Sequence, residues 1–254
     1  MTKGRAGADS SSLVTYQIGG KTLVDLASET LGEMPVLWGR YFTSVTESGD
    51  VEYRHEQEGQ LLLQNNVRVL PIARQTNRVA GTSADGAADA QANAEDVIQT
   101  FGADYLKSAG GSFLMFLDVE GTPSLSLSYY QGWAQTLSSY SQSYSNGAVK
   151  LIPCVYGTQA DDTTWQAIAT AASQGVPCNG VWIAHWISQG CQAVPDWSDA
   201  HVNPDIALPC QVLLWQYSDD CQGGDGYDCN TTNPNIDFNA FINQLILPPP
   251  AATS

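Results

Sequence analysis

The stretch SFLMFLDVE, residues 112–120, decides our interpretation of the fold. Residues 113–117 are wholly apolar, and two acids, Asp118 and Glu120, follow directly before Gly121. A continuous apolar run of this kind is typical of a strand buried on both faces of a parallel sheet. Side chains two residues apart on a strand point to the same side. The stretch therefore predicts a buried parallel strand that carries two carboxylates at its C-terminal end.

Similar apolar runs recur along the chain and alternate with helix-like segments. We expect the other strands at residues 22–27, 36–42, 67–73, 149–157, 180–187, 211–218 and 235–239, and helices near 55–64, 87–107, 129–144 and 164–173. Alternation of strands and helices indicates βαβ units and a parallel sheet. Eight strands can close into a barrel, and 254 residues suit one such domain. We therefore predict a single TIM-like (β/α)₅β₃ barrel of the α/β class, with five strand–helix units followed by three strands joined by loops.

The alternative fold is a doubly wound open sheet, but no G-x-G-x-x-G follows the first expected strand. The expected barrel covers residues 16–247. The first dozen residues are polar and small, and residues 248–254 are rich in proline and alanine, so we expect flexible segments at residues 1–15 and 248–254.

The composition limits the possible partners. The net charge is −16, so the surface repels phosphate backbones and anionic lipid head groups, and we expect neither nucleic acid nor membrane as a partner. No apolar run reaches the roughly 18 residues of a membrane span. The first dozen residues hold no apolar segment typical of a secretory signal peptide. A neutral polymer such as a glycan is compatible with this charge, and so is simple solubility.

All six cysteines lie in the C-terminal half of the chain. An even number of cysteines suggests disulfides and an oxidising compartment, so we expect an extracellular or cell-wall-associated protein. We favour the pairs Cys191–Cys210 and Cys221–Cys229, although a buried thiol is the alternative for Cys154 and the sequence does not fix the connectivity. The chain has no C-x-x-C and only three histidines, so we expect no metal site.

Acids near the ends of other expected strands point to the same edge of the barrel as Asp118 and Glu120. Asp25 lies in the run 22–27, and Asp237 lies in the run 235–239, with Asp228 as its rival. The C-terminal ends of the strands carry the active site in barrels of this type. Close carboxylates push one pKa upward, so that one acid keeps its proton while the other is ionised, as glycoside hydrolysis requires. The alternatives are a solvated acidic loop for Asp118 and Glu120 and a helix cap for Asp25.

Aromatic side chains end several of the strands and are candidates for stacking on sugar rings. They are Tyr41, Tyr156, Trp186, Trp215 and Tyr217. Ordinary packing is the alternative for each of them. His185 has the opposite parity to Trp186, so we expect it to face the helices. We find no Ser-His-Asp context and no P-loop, and we expect no cofactor.

With these motifs in place, the chain resembles glycoside hydrolase family 25, the lysozymes with a (β/α)₅β₃ barrel, and looks closest to the bacterial glycoside-hydrolase-like domains. The matching stretches are LVDLAS (23–28), FLDVEG (116–121), CVYG (154–157), VWIAHW (181–186), LWQYS (214–218) and IDFNAF (236–241). The family has a Trp-Gln motif after its first strand, whereas this chain has Ser28-Glu29-Thr30.

The resemblance implies that Glu120 is the catalytic acid/base and that Asp118 assists it, with Asp25 and Asp237 completing an acidic ring. It implies that Tyr156, Trp186 and Gln216 line a saccharide groove. The implied reaction is cleavage of the β-1,4 bond between N-acetylmuramic acid and N-acetylglucosamine in peptidoglycan, by a protein that we expect to be monomeric. The competing hypotheses are a glycan-binding barrel without activity and a structural or interaction domain.

Overall fold

A computed structural model describes residues 2–43, 52–74, 78–121, 123–190, 192–223 and 226–250. Ten strands lie in these ranges: β1 (Ala6–Asp9), β2 (Gln17–Ile18), β3 (Lys21–Thr22), β4 (Leu37–Phe42), β5 (Arg68–Arg74), β6 (Ser112–Val119), β7 (Lys150–Thr158), β8 (Val181–Gln189), β9 (Val212–Cys221) and β10 (Tyr227–Thr232). Eight of them close a barrel in the order β1-β10-β9-β8-β7-β6-β5-β4, and β2 and β3 form a separate hairpin. Neighbours from β4 to β9 are parallel and β1 is parallel to β4, whereas β10 is antiparallel to both β9 and β1.

Helices connect most of the barrel strands. Those in the described ranges are α1 (Leu23–Leu31), α2 (His55–Gln64), α3 (Ser83–Phe101), α4 (Ala103–Ser108), α5 (Leu127–Tyr144), α6 (Asp162–Ser173), α7 (Asp199–Val202) and α8 (Phe238–Ile242). The expected strands at 36–42, 67–73, 112–120, 149–157, 180–187 and 211–218 are confirmed as β4 to β9. The expected helix 87–107 is two helices, because Gly102 ends α3 with a positive φ that is accessible to glycine. The protein is therefore a mixed α/β protein built on a closed barrel of eight strands.

The prediction for the N-terminal part of the chain is wrong. Residues 6–9, expected in a flexible segment, form the buried first strand of the barrel. The run 22–27 is the start of α1, because Thr22 and Asp25 form a capping box that begins a helix there. Ala6 and Ala8 are small residues, so β1 lacks the bulky apolar signal that marks the other strands.

The last strand also lies elsewhere than predicted. The eighth strand of the barrel is β10, whereas residues 235–239 run into the short helix α8, which Asp237 caps. Phe241 and Leu245 pack inside the barrel against Leu37 and Leu114, which lie near the amino-terminal ends of their strands. The amide of Leu114 donates a hydrogen bond to the carbonyl of Gln244. The segment of α8 therefore closes the amino-terminal end of the barrel, which we call the base; the opposite end is the rim.

The expected disulfides are not supported. The Sγ atoms of Cys221 and Cys229 lie 3.3 Å apart, and that of Cys210 lies 3.1 Å from Cys178, which are contacts between thiols rather than covalent bonds. Cys191 lies outside the described residues, and the thiol that contacts Cys210 is that of Cys178. The cysteines therefore give no support to an extracellular location. Among the described helices, none combines the length and apolar character required to cross a bilayer.

Candidate functional site at the barrel rim

Four carboxyl side chains meet at the rim. Asp118 lies near the end of β6 and Glu120 follows the strand, with the same parity as the interior residues Leu114 and Phe116. Asp9 ends β1 and is paired with Asp228 across the antiparallel ladder between β1 and β10. Because β10 runs opposite to its neighbours, its first residues lie where the parallel strands end. The topology therefore gathers acids from β1, β6 and β10 at one end of the barrel.

The side chain of Asp118 contacts the backbone of Glu120. The backbone amide of Glu120 donates a 3.2 Å hydrogen bond to Oδ1 of Asp118, which is buried. The guanidinium of Arg74, at the end of β5, lies 3.7 Å from Oδ2 of Asp118 and packs over the ring of Tyr41 at 4.6 Å. The hydroxyl of Tyr156 on β7 forms a short hydrogen bond with Oε1 of Glu120. Asp118 therefore has a cation beside it, whereas Glu120 contacts a neutral phenol.

Burial raises the pKa values of three of the rim acids, Glu120, Asp228 and Asp9. The pKa of Glu120 rises from an ordinary 4.5 to about 8 because of burial first and the neighbouring Asp118 second, with Tyr156 acting in the opposite direction. Burial raises the pKa of Asp228 to about 7. Burial and then Asp228 raise the pKa of Asp9 well above its ordinary value. These raised pKa values favour the protonated form of Glu120 at neutral pH.

A buried amide, Gln216 on β9, links these groups. Its Oε1 accepts hydrogen bonds from Nε1 of Trp186 at 2.7 Å and from the hydroxyl of Tyr156 at 3.0 Å. Its Nε2 donates to Oδ1 of Asp9 at 3.1 Å and to Oδ2 of Asp228 at 3.3 Å. An indole nitrogen can only donate, so Trp186 fixes which end of the amide faces Tyr156 and which faces the acids.

Asn230 on β10 holds Asp9 from a second side. Its Nδ2 donates to Oδ1 of Asp9 at 2.6 Å, and its Oδ1 accepts from the indole of Trp182 at 2.9 Å. Gly39 on β4 leaves the room that this arrangement needs, because a Cβ at that position would lie 2.7 Å from Cβ of Asp9 and 3.2 Å from the ring of Trp182. Asp9 is therefore positioned by an amide on each side and by a glycine opposite it.

A buried ion pair supports the chain just after Asp9. Nε of Arg40 lies 2.8 Å from Oε2 of Glu58, and both side chains are fully buried. Arg40 also donates to the carbonyl of Ser10, and Glu58 accepts from the amide of Val14. The ion pair thus ties the loop that follows β1 to β4 and α2, which holds the end of β1 in place.

The structure does not bring Asp25 or Asp237 to the rim. Asp25 is exposed and accepts a 3.1 Å hydrogen bond from the amide of Thr22 at the start of α1. Asp237 is exposed and accepts from the amide of Ala240 at the base. Asp9 and Asp228 occupy the positions expected for them. Sequence reasoning named Asp228 as a rival but missed Asp9, because the short run AGAD has no strand signal.

Some of the predicted aromatic residues face the interior of the barrel at the rim, and others face the helices outside it. Tyr156 and Trp186 contact the rim acids or Gln216, and Tyr41 packs against Arg74. Trp215 and Tyr217 are wrongly placed by the prediction: they are buried on the outer face of β9, where they pack against each other. Gln216 faces inward but is fully buried, so it lies beneath the surface rather than lining a groove. The outward direction of His185 is confirmed by its hydrogen bond to the carbonyl of His201.

An open surface borders Trp186, whose indole contacts Gln216 beside the acids. Trp186 is 49% exposed although its indole nitrogen reaches Gln216. A cavity of about 190 Å³ borders it, lined by Thr158, Gln159, Ala160, Ala184, His185 and Trp186. Within the described ranges, no group of three or more His, Cys, Asp or Glu side chains is arranged to hold a metal ion. The rim therefore combines titratable acids with an accessible aromatic face.

Comparisons with known proteins give structural neighbours. No family model matches the chain, and no curated protein matches it. An uncharacterized protein of B. stearothermophilus, known from a 1.07 Å crystal structure, matches with a TM-score of 0.64 and 21% identity over 95% of this chain and 100% of that one. The catalytic domain of endolysin ply40, from bacteriophage P40 of Listeria monocytogenes, matches with a TM-score of 0.52 and 15% identity over 96% and 99% of the two chains.

The spore cortex lytic enzyme SleM of Clostridium perfringens matches with a TM-score of 0.52 and 15% identity, over 92% of this chain and 68% of that one. Identities this low show a common fold and nothing finer. The chain thus has the barrel fold that is also found in the catalytic domain of a phage endolysin and in a spore cortex lytic enzyme.

Proposed function

We propose that this protein is a cell-wall hydrolase that cleaves the β-1,4 bond between N-acetylmuramic acid and N-acetylglucosamine in peptidoglycan. In this proposal the barrel is the (β/α)₅β₃ type of the family 25 lysozymes, and the protein acts outside the cell or in the cell wall. The observation that carries the proposal is the pair at the end of β6, in which Glu120 has a pKa raised to about 8 and contacts Asp118. The lytic enzymes among the structural neighbours support it.

The roles follow from the surroundings of each acid. Glu120 keeps its proton at neutral pH and donates it to the glycosidic oxygen as the bond breaks. A water molecule then adds its hydroxyl to the sugar carbon and returns its remaining proton to Glu120. Asp118, with Arg74 beside it, faces the positive charge that develops on the sugar. Asp9 and Asp228 take the places in the acidic ring that the resemblance gave to Asp25 and Asp237. Their charge adds to the field at the rim when they lose their protons.

The exposed ring of Trp186 is the proposed platform for a sugar ring. An aromatic face packs against the C–H groups of a pyranose, and the bordering cavity of about 190 Å³ offers space for a substituent of the sugar. Tyr156 contacts Glu120 directly, so it lies between the acid and the interior of the barrel. The substrate would therefore cross the rim over Glu120 with one ring on Trp186.

The test compares two glutamate variants on purified peptidoglycan. Glu120→Gln removes the proton donor with little change in volume, so we expect turnover to fall by about 10²–10⁴-fold. Glu56→Gln is the matched control, because Glu56 is an exposed residue on α2. Mass analysis of the products should show N-acetylmuramic acid at the new reducing ends.

Other outcomes would change the proposal in defined ways. Full activity in Glu120→Gln would remove Glu120 from the chemistry. Reducing-end N-acetylglucosamine would change the bond that is cleaved. Binding of glycan without any product, lost in Trp186→Ala and kept in Glu120→Gln, would favour a binding barrel. Thermal unfolding of each variant shows whether a loss of activity reflects a loss of the fold.

A further inference from the structure

The hydroxyl of Tyr156 has two acceptors and one proton. It lies within hydrogen-bond distance of Oε1 of Glu120 and 3.0 Å from Oε1 of Gln216. A phenol carries a single hydrogen, so it can donate to only one of these oxygens at a time. Rotation of the Gln216 amide would place its NH₂ group, a donor, beside Tyr156. The indole of Trp186 prevents this rotation, because it donates to Oε1 at 2.7 Å and therefore requires the oxygen at that position. The hydrogen-bond pattern therefore depends on whether Glu120 holds a proton.

Each protonation state of Glu120 has one complete pattern. When Glu120 is protonated, it donates to the oxygen of Tyr156, and the phenol donates to Gln216. When Glu120 is a carboxylate, the phenol turns to it and donates there. Without an acceptor at Gln216, the phenol would have only Glu120 as a partner, and a carboxylate is the better acceptor.

We propose that Gln216 is a positioning residue for the proton of Glu120: its oxygen is the alternative acceptor that lets the hydroxyl of Tyr156 turn away while the acid holds its proton. The inference rests on the proposed function for its catalytic meaning. It also replaces the implied role of Gln216 as a saccharide contact. Gln216 is fully buried, and protein groups occupy both lone pairs of its oxygen and both hydrogens of its nitrogen.

Other groups around Glu120 also affect its proton. The charged or titratable side chains that act on it come from β1, β4, β5, β6, β7 and β10, and they are Asp9, Tyr41, Arg74, Asp118, Tyr156 and Asp228. Gln216 reaches two of them directly, because its nitrogen donates to Asp9 and Asp228. Loss of that donor makes negative charge on these two aspartates less favourable, which weakens their repulsion of a charged Glu120. An experiment must therefore separate the path through Tyr156 from the path through the aspartates.

The two variants Gln216→Met and Tyr156→Phe should act in opposite directions. Gln216→Met keeps the volume and removes the alternative acceptor, so we expect the titration midpoint of Glu120 to fall by about one pH unit. Tyr156→Phe removes the donor that favours the carboxylate, so the midpoint should rise. In the double variant, Gln216→Met should have a clearly smaller effect than in the wild-type background, because the phenol is absent.

The midpoint is measured by ¹³C NMR on protein labelled at the glutamate side-chain carboxyl, with the Glu120 signal assigned by its loss in Glu120→Gln. An unchanged midpoint in Gln216→Met, or an equal shift with and without Tyr156, overturns the proposal. If Gln216→Met does not fold, Trp186→Phe is the second variant, because Trp186 is half-exposed. Loss of its indole frees the amide to rotate, so that the midpoint should again fall; an unchanged value counts against the proposal.

The titration needs no substrate, so it separates this inference from the proposed function. Expected midpoints in a protein that cleaves no glycan would retain the role of Gln216 and reject the hydrolase. If the protein does cleave peptidoglycan, the basic limb of its pH profile for kcat/KM should move with the NMR midpoint, to lower pH in Gln216→Met and to higher pH in Tyr156→Phe.

Discussion

The rim and the base of the barrel both carry aspartates close to the end of a strand or the start of a helix, but in contrasting surroundings. At the rim, Asp9 is buried and Asp228 is partly buried, and burial raises the pKa of each. At the base, Asp237 is exposed and caps α8. The apolar residues beside it, Phe241 and Leu245, belong to the apolar cluster inside the barrel. Under the proposed function, the base contributes stability and the rim contributes chemistry.

The largest expected effect is on stability and comes from the base. Phe241 is 4% exposed and packs inside the barrel, so Phe241→Ala should lower the free energy of unfolding by about 3–5 kcal/mol. The measurement is denaturant unfolding at a fixed pH. The titration midpoint of Glu120 should stay within a few tenths of a pH unit, since the base does not contact the rim acids. A large shift of that midpoint would show that the two ends are coupled.

The next effect is on turnover and comes from the rim. Asp118→Asn removes the negative charge beside Glu120, so we expect turnover of peptidoglycan to fall by about 10²–10³-fold. Asp25→Asn is the matched control, because Asp25 is an exposed aspartate in the capping box of α1. Its turnover should stay within about twofold of the wild type. An equal loss in both variants would mean that the aspartates at the rim have no special role.

The sequence predicts the strands that carry bulky apolar residues and misses the others. β4 to β9 carry runs of bulky apolar residues, and each strand is predicted nearly at its observed bounds. β1 is AGAD, whose small side chains suit the close approach of Gly39 to Asp9 but give no propensity signal. TLVDLA is apolar enough for a strand, yet the interaction between Thr22 and Asp25 makes it a helix start. Local hydrogen bonding therefore overrides the apolar pattern at that point.

Some contacts of the candidate site follow from the alternation of side chains along a strand, whereas others join residues that are far apart in the sequence. The shared direction of Asp118 and Glu120 follows from their spacing on a strand. The contact between Asp9 and Gln216 joins residues 207 positions apart, and no local pattern encodes it. Trp215 and Tyr217 were assigned to the site with Gln216, although alternation along β9 allows only one of the two sets to face inward. The structure selects Gln216.

A smaller effect is the pH dependence of stability. The raised pKa values of Asp9, Glu120 and Asp228 mean that the folded state holds protons that the unfolded state loses, so their contribution is fully present below about pH 4. The contributions of Asp228 and Glu120 are lost as the pH rises through their folded pKa values of about 7 and about 8. The loss of these contributions should therefore lower the free energy of unfolding between pH 5 and pH 8.5. Asp228→Asn should reduce that decrease by roughly 1–3 kcal/mol.

The control for this effect is Asp237→Asn, measured by denaturant unfolding at the same two pH values. Asp237 lies at the base and is exposed, so its amide variant should show the same decrease as the wild type. Titrating groups away from the rim contribute equally to all three proteins, so the difference between variants isolates the rim, including the effect of Asp228 on Asp9 and Glu120. An unchanged decrease in Asp228→Asn would show that Asp228 is ionised throughout this range.

The smallest expected effect is on stability, and it tests whether Asp237 at the base is a helix cap or a catalytic acid. Oδ1 of Asp237 accepts a 3.0 Å hydrogen bond from the amide of Ala240, so Asp237→Ala should lower the free energy of unfolding by about 1 kcal/mol. Asp237→Ser should restore most of it, because a serine hydroxyl can cap the same amide. Turnover should be unaffected in both variants at temperatures well below unfolding. A loss of turnover in Asp237→Ser with unchanged stability would return Asp237 to the catalytic set and break the division between rim and base.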